Sequence, residues 1–193
     1  MNLSQMDLGI IGEIGNISVG GAASSLSNFV HKMVNISVPD TKIMTFEELK
    51  KRFPSTVVYA KIDYDNGMEG SNLLLMHKEE ALELSKIIVK EKLGEEIEGW
   101  NAYAENVLAE VFNIMVGHMS SVMGEMFHQS IKVKVPTTYD ELHRLDVFPN
   151  DEKLVSVWFE VRIENAFKLK VVKLLNSEQA HYMVNKIKED HHL

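Results

Sequence analysis

Apolar residues recur at steps of three and four through the first thirty positions of the chain. Leu8, Ile11, Gly15, Val19, Ala22, Leu26 and Phe29 fall on one face of a predicted helix, and Met6, Gly9, Glu13, Asn16, Gly20 and Ser27 on the other. Ser4, with Asp7 three residues on, supplies an N-cap and an acid for the first turn. Glycines at 9, 12, 15, 20 and 21 each cost roughly 1 kcal/mol of helix propensity, so packing has to hold this helix together. From Lys32 to Pro39 the period drops to two, with Val34, Ile36 and Val38 alternating as a strand. A short helix is predicted over Thr45–Phe53, stopped by Pro54, and strands over Thr56–Tyr64 and Gly70–Met76. Asp65–Gly70 is a turn suited to residues at positive φ. Lys78–Lys92 is amphipathic and ends at Gly94.

The second half repeats the order. Leu108, Phe112, Val116, Met119, Met123 and Met126 define the buried face of a long helix, and Asn106, Glu110, Asn113, Gly117, Ser120 and Gly124 the other. Ile131, Val133 and Val135 alternate as a strand before Pro136, and Tyr139–Leu145 has the pattern of a short helix. Leu154–Ile163 and Phe167–Leu174 form a second predicted hairpin, and Ser177 caps a last helix. Glu13 and Glu110, Asn16 and Asn113, and Pro39 and Pro136 all stand 97 positions apart. At that offset residues 10–39 and 107–136 share nine identities. Packing accounts for most of these, but Glu and Asn do not help to bury a helix. The pattern predicts an α+β domain of two repeats, about 1–96 and 97–193. They combine in pseudo-two-fold fashion into a six-stranded, mainly antiparallel sheet with two long helices.

Composition adds boundaries. The 193 residues are 45% hydrophobic and 25% charged, as in ordinary folded proteins. Without cysteine there is no disulfide, thiolate catalysis or Cys-bound zinc. A net charge of −8 with scattered basic residues argues against nucleic acid. The start, Met1–Asp7, lacks a signal-peptide pattern, and no run of about 18 apolar residues suggests membrane insertion, so a cytoplasmic protein is expected.

Residues three apart on a helix point the same way, so each Glu/Asn pair presents a fixed negative charge beside a neutral amide. Neither group is a nucleophile at neutral pH, and no histidine or second acid adjoins either pair for acid–base work. The acid can anchor a cation on a partner while the amide orients a water. That is a recognised arrangement in phosphoryl transfer, where positioning and electrostatics dominate. Solvated residues on an exposed helix face are the plainer alternative, and duplication in frame argues against it.

Glu-x2-Asn-x22-Pro, present twice with Asn-Ile-x-Val-Gly following the Asn, resembles the CheC/CheX/FliY family of chemotaxis phosphatases. Two copies match the CheC-like pattern. The stretch Glu69–Met76 is also similar to the family, and the likeness runs through essentially the whole chain. The resemblance implies a hydrolase acting on the phospho-aspartate of a CheY-like response regulator. Glu13 and Glu110 would anchor a receiver lysine, and Asn16 and Asn113 would position the attacking water. No cofactor of its own is implied; the magnesium ion belongs to the partner receiver. The other reading is a non-catalytic binding module for phosphorylated receivers, as in flagellar motor-switch relatives. The family motif opens with Asp or Ser four residues before the Glu, where this chain has Gly9 and Asn106. CheC proteins that bind the deamidase CheD would carry an apolar helix after the second Pro. Thr137–Leu142 is polar, which argues against CheD as a partner.

The remaining polar candidates have structural explanations. His31 and His128 occupy equivalent helix ends and suit C-terminal caps. Met115, Met119, Met123 and Met126 read as core, and Glu95, Glu96 and Glu98 as a solvated connection between repeats. Gly20-Gly21 lacks the lysine of a phosphate-binding loop.

Overall fold

Helix α1 (Gln5–Val30) starts where the Ser4–Asp7 spacing places it: the Ser4 hydroxyl accepts from the Asp7 N–H, and the Asp7 carboxylate accepts from the Ser4 N–H. The computed structural model describes residues 1–53, 56–68, 70–139, 148–164 and 167–191. After α1 come β1 (Val34–Ile36), β2 (Asp40–Thr45), α2 (Phe46–Arg52), β3 (Val57–Asn66), β4 (Ser71–His77) and α3 (Lys78–Leu93). The second half follows with α4 (Ala102–Met126), β5 (Lys132–Val133), β6 (Thr137–Tyr139), β7 (Lys153–Ile163), β8 (Phe167–Leu175) and α5 (Ser177–His191).

The sheet is antiparallel throughout, in the order β1-β7-β8-β4-β3-β5, with β2 also on β7 and β6 also on β3. It has eight strands where the sequence pattern predicts six. The additional two, β2 and β6, follow Pro39 and Pro136. They carry mixed polar residues, and each finds its partner only in the other half of the chain. Shifting by 97 positions exchanges the ladders: Ile36↔Val161 becomes Val133↔Tyr64, and Asp40↔Trp158 becomes Thr137↔Lys61. At the centre Leu75 pairs with Val172, its own counterpart at that shift.

Both faces of the sheet are covered, which explains why β3 opens on a continuous buried run, Val57–Ala60. On one face Val58, Ala60, Val171 and Leu175 pack with Ile11, Leu26, Leu108, Phe112 and Met183 of the helices. On the other, Tyr59, Leu73, Val172 and Leu174 pack with Phe46 and Leu49 of α2 and with Phe148. The methionines at 115, 119 and 123 are core, as expected.

Some local expectations change. The last helix is capped by Asn176, whose side-chain oxygen accepts from the Gln179 N–H; Ser177 is already helical. Ser120 is buried and donates to the Gly117 carbonyl, so Ser121 takes the exposed place on that turn. β1 and β5 stop short of Val38 and Val135, which are exposed. Pro39 and Pro136 have no N–H to donate, so the ladders break there before β2 and β6 resume. The short helix expected over Tyr139–Leu145 falls largely on residues outside those described. His31 caps α1 in left-handed backbone at φ 54°, whereas α4 is capped by Phe127 and His128 follows it at φ 49°. By length and composition alone α4 could cross a membrane, contrary to the count of apolar runs. Here its apolar side lies in the core against α1 and the sheet.

Candidate functional site

The two long helices touch where α1 has no side chain. A Cβ on Gly21 would collide with the ring of His118 and meet Val122, and the Ser25 hydroxyl lies 3.3 Å from His118 Nδ1. Gly21 and His118 are themselves 97 positions apart, so the crossing sits at the centre of the repeat. One turn of α1 packs instead against β2 on its other side: a Cβ on Gly12 would stand 2.9 Å from Thr41 Oγ1. Glu13 belongs to the β2 side. It shares a cleft of about 310 Å³ with Gln5, Leu8, Gly9, Gly12, Val38, Pro39 and Thr41.

Glu13, Glu110 and Asn113 are exposed and Asn16 is half-buried, all on the outward side of their helices. Asn16 and Asn113 each lie five residues before the Gly21–His118 contact in their own helix. The cleft that holds Glu13 is lined by neither Glu110 nor Asn113, so this cleft does not gather the four predicted residues into one centre. Among the described residues, none offers these four side chains a hydrogen bond or an ion pair. Carboxylates and amides with no intramolecular use keep their full bonding capacity for another molecule. The surface beside them is low: a Cβ on Gly9, Gly20 or Gly117 would meet nothing within 4 Å. Asn106, the counterpart of Gly9, is exposed on the approach to Glu110. No group of three or more His, Cys, Asp or Glu able to hold a metal ion occurs among the described residues.

Periodicity placed Val38 and Val135 in strands, where the structure leaves both exposed beyond the strand ends, and it did not single out His118. For the two valines a signal was present, since proline interrupts a ladder. His118 had no signal, because the closeness of two helices 97 residues apart is a tertiary fact.

Residues 6–43, which hold Glu13, Asn16 and Pro39, match the model of the CheC-like family. The chain is related by sequence to the FliY and CheC proteins. It is 27% identical over 181 residues to the flagellar motor switch phosphatase FliY of Bacillus subtilis (strain 168), covering 90% of this chain and 47% of FliY. It is 25% identical over 138 residues to the CheY-P phosphatase CheC of the same organism, covering 68% of this chain and 64% of CheC. The chain thus spans 47% and 64% of the lengths of these two relatives. Among solved structures, Thermotoga maritima FliY superposes with a TM-score of 0.87 at 23% identity, covering 98% of this chain and 99% of that one. The FliM middle domain of H. pylori gives 0.77 at 14% identity, covering 95% and 99%.

Proposed function

We propose that this chain hydrolyses the aspartyl phosphate of a CheY-like receiver domain. The observation that carries the reading is the pair of outward-facing Glu/Asn couples, equivalent in position and with no hydrogen bond or ion pair among the described residues. In the proposed reaction Glu13 or Glu110 binds a lysine on the receiver, which sets the register of docking. The amide of Asn16 or Asn113 enters the receiver pocket and holds a water in line with the phosphorus. Water oxygen bonds to phosphorus, the bond to the aspartyl oxygen breaks, and inorganic phosphate and the receiver carboxylate leave. A magnesium ion held by the receiver would take up the developing charge, so this chain needs to supply only position. Two similarly named relatives, a motor switch phosphatase and a CheY-P phosphatase, support the reaction class. We also propose one cytoplasmic domain of two repeats, 1–96 and 97–193, that takes no nucleic acid as partner.

Phosphate release from a phosphorylated CheY-type receiver tests this. We expect acceleration by the unmutated chain. It should be lost in Asn16→Ala plus Asn113→Ala with binding retained, because the amide acts on water and the acid on docking. Asn113→Ala alone should cost more than Asn16→Ala alone, since Asn106 can support the second surface where Gly9 cannot support the first. Unchanged release with the unmutated chain would sink the proposal. The fold shared with the FliM middle domain favours a second reading, a module that binds phosphorylated receivers without hydrolysis. Binding without acceleration would select it.

A further inference from the structure

Seven large apolar residues are exposed among those described: Met6, Ile17, Met33, Val38, Leu93, Tyr103 and Val135. Five of them surround the two Glu/Asn pairs, and they do so at matching positions. Met6 (55% exposed) and Tyr103 (40%) are 97 positions apart, and so are Val38 and Val135, each 81% exposed. Ile17, 43% exposed, has its counterpart in the half-buried Ile114. Single exposed apolar residues are common and mean little, but two positions exposed at both sites, with a third exposed at one and half-buried at the other, do not arise from scatter.

We infer that positions 6, 17 and 38, and likewise 103, 114 and 135, form an apolar collar that docks the receiver around its phosphorylated pocket. This rests on the function proposed above. Val38 lines the cleft that holds Gly9 and Glu13, while Met6 and Ile17 lie on α1 two turns before Glu13 and one turn after it. The polar pair thus sits between apolar positions on either side. Val135 holds the matching place between β5 and β6, whose ladders to β3 keep the register that β1 and β2 have on β7. Valine has few rotamers, and the proline after it fixes the following φ, so little freedom is lost on contact. Because the collar encloses the pair, its occupant is the molecule the pair engages: a receiver with a cation beside its acyl phosphate and apolar surface around that pocket. Covering the collar excludes water from the Glu contact, which strengthens it.

The test uses a CheY-type receiver carrying beryllofluoride and magnesium for binding, and the phosphorylated receiver for turnover. Val38→Ser plus Val135→Ser should raise Kd and KM roughly tenfold while kcat stays within about twofold, and thermal stability should hold because both side chains are exposed. Met33→Ser, also exposed but remote from the pairs, should leave Kd within about twofold. Unchanged Kd in the double valine variant, or an equal loss in Met33→Ser, overturns the collar even where the unmutated chain is active. An unmutated chain that neither binds nor accelerates release overturns the proposed function and the collar together. Binding without acceleration removes hydrolysis alone, and Kd then decides the collar.

Discussion

Lys173 places an ammonium group inside the core. It is 1% exposed, lies between Leu74 and Val157 in the sheet, and has Met123 Sδ at 3.9 Å from its Nζ. Burial pushes its pKa down from 10.5 to about 8. The folded state therefore binds the proton less tightly than the unfolded chain, and the destabilisation applies below pH 8. Stability should rise with pH between about 8 and 10.5, as the folded chain releases a proton that the unfolded one still holds. Lys173→Met, the residue found 97 positions earlier at Met76, should raise stability at pH 7 by about 2–3 kcal/mol and abolish that rise, measured by denaturant unfolding across pH. At the same scale, the orientation of Glu13, Asn16, Glu110 and Asn113 was legible from the helical spacing, because a period of 3.6 sets side-chain direction without help from distant residues. Val38 and Val135 were misread as strand positions. Their alternation with Val34 and Val133 is real, but the ladder ends before the proline.

For the elements, local chemistry and distant contacts combine at the start of α1. The Asp7 carboxylate accepts from the N–H and hydroxyl of Ser4, each at 2.8 Å, and pairs with Lys188 of α5 at 2.7 Å. The Lys188 bond first, and the Ser4 bonds next, hold its pKa down from 3.8 to about 2. A depressed carboxylate pKa stabilises the fold above the unfolded value, and that contribution is lost as pH falls from about 4 toward 2. Since Lys188 is partly exposed, solvent screening leaves a contribution of about 1 kcal/mol. Asp7→Asn should lower stability at pH 7 by about that amount and flatten acid unfolding between pH 4 and 2, read by circular dichroism. The cap was visible in sequence; Lys188 was not, being 181 positions away. The long helices were legible for the same reason as the cap, since both depend on residues within a few turns. β2 and β6 were missed because their polar alternation is weak and their partners belong to the other half.

The two halves are interlocked at the level of the whole molecule. β1 and β2 of the first half lie on β7 of the second, and β5 and β6 lie on β3 in return. Gly67 marks one closure: its φ is +81°, and a Cβ there would run into the Ser130 carbonyl after α4. The Gly67 carbonyl also accepts from Gln129 Nε2 at 2.7 Å and from the Tyr182 hydroxyl at 3.0 Å. Gly67→Ala should cost roughly 2–3 kcal/mol in thermal unfolding, combining backbone strain with a clash against backbone that cannot rotate away. By itself, the sequence determined the matching of positions 97 apart, the Ser4–Asp7 cap, the long helices and the outward direction of both Glu/Asn pairs, because each can be read along the chain. Tertiary structure alone decided the exchange of strands between halves, the Gly21–His118 contact, and the exposure of Val38 and Val135. Those depend on which distant segments meet, and periodicity holds no information about a partner more than a few turns away.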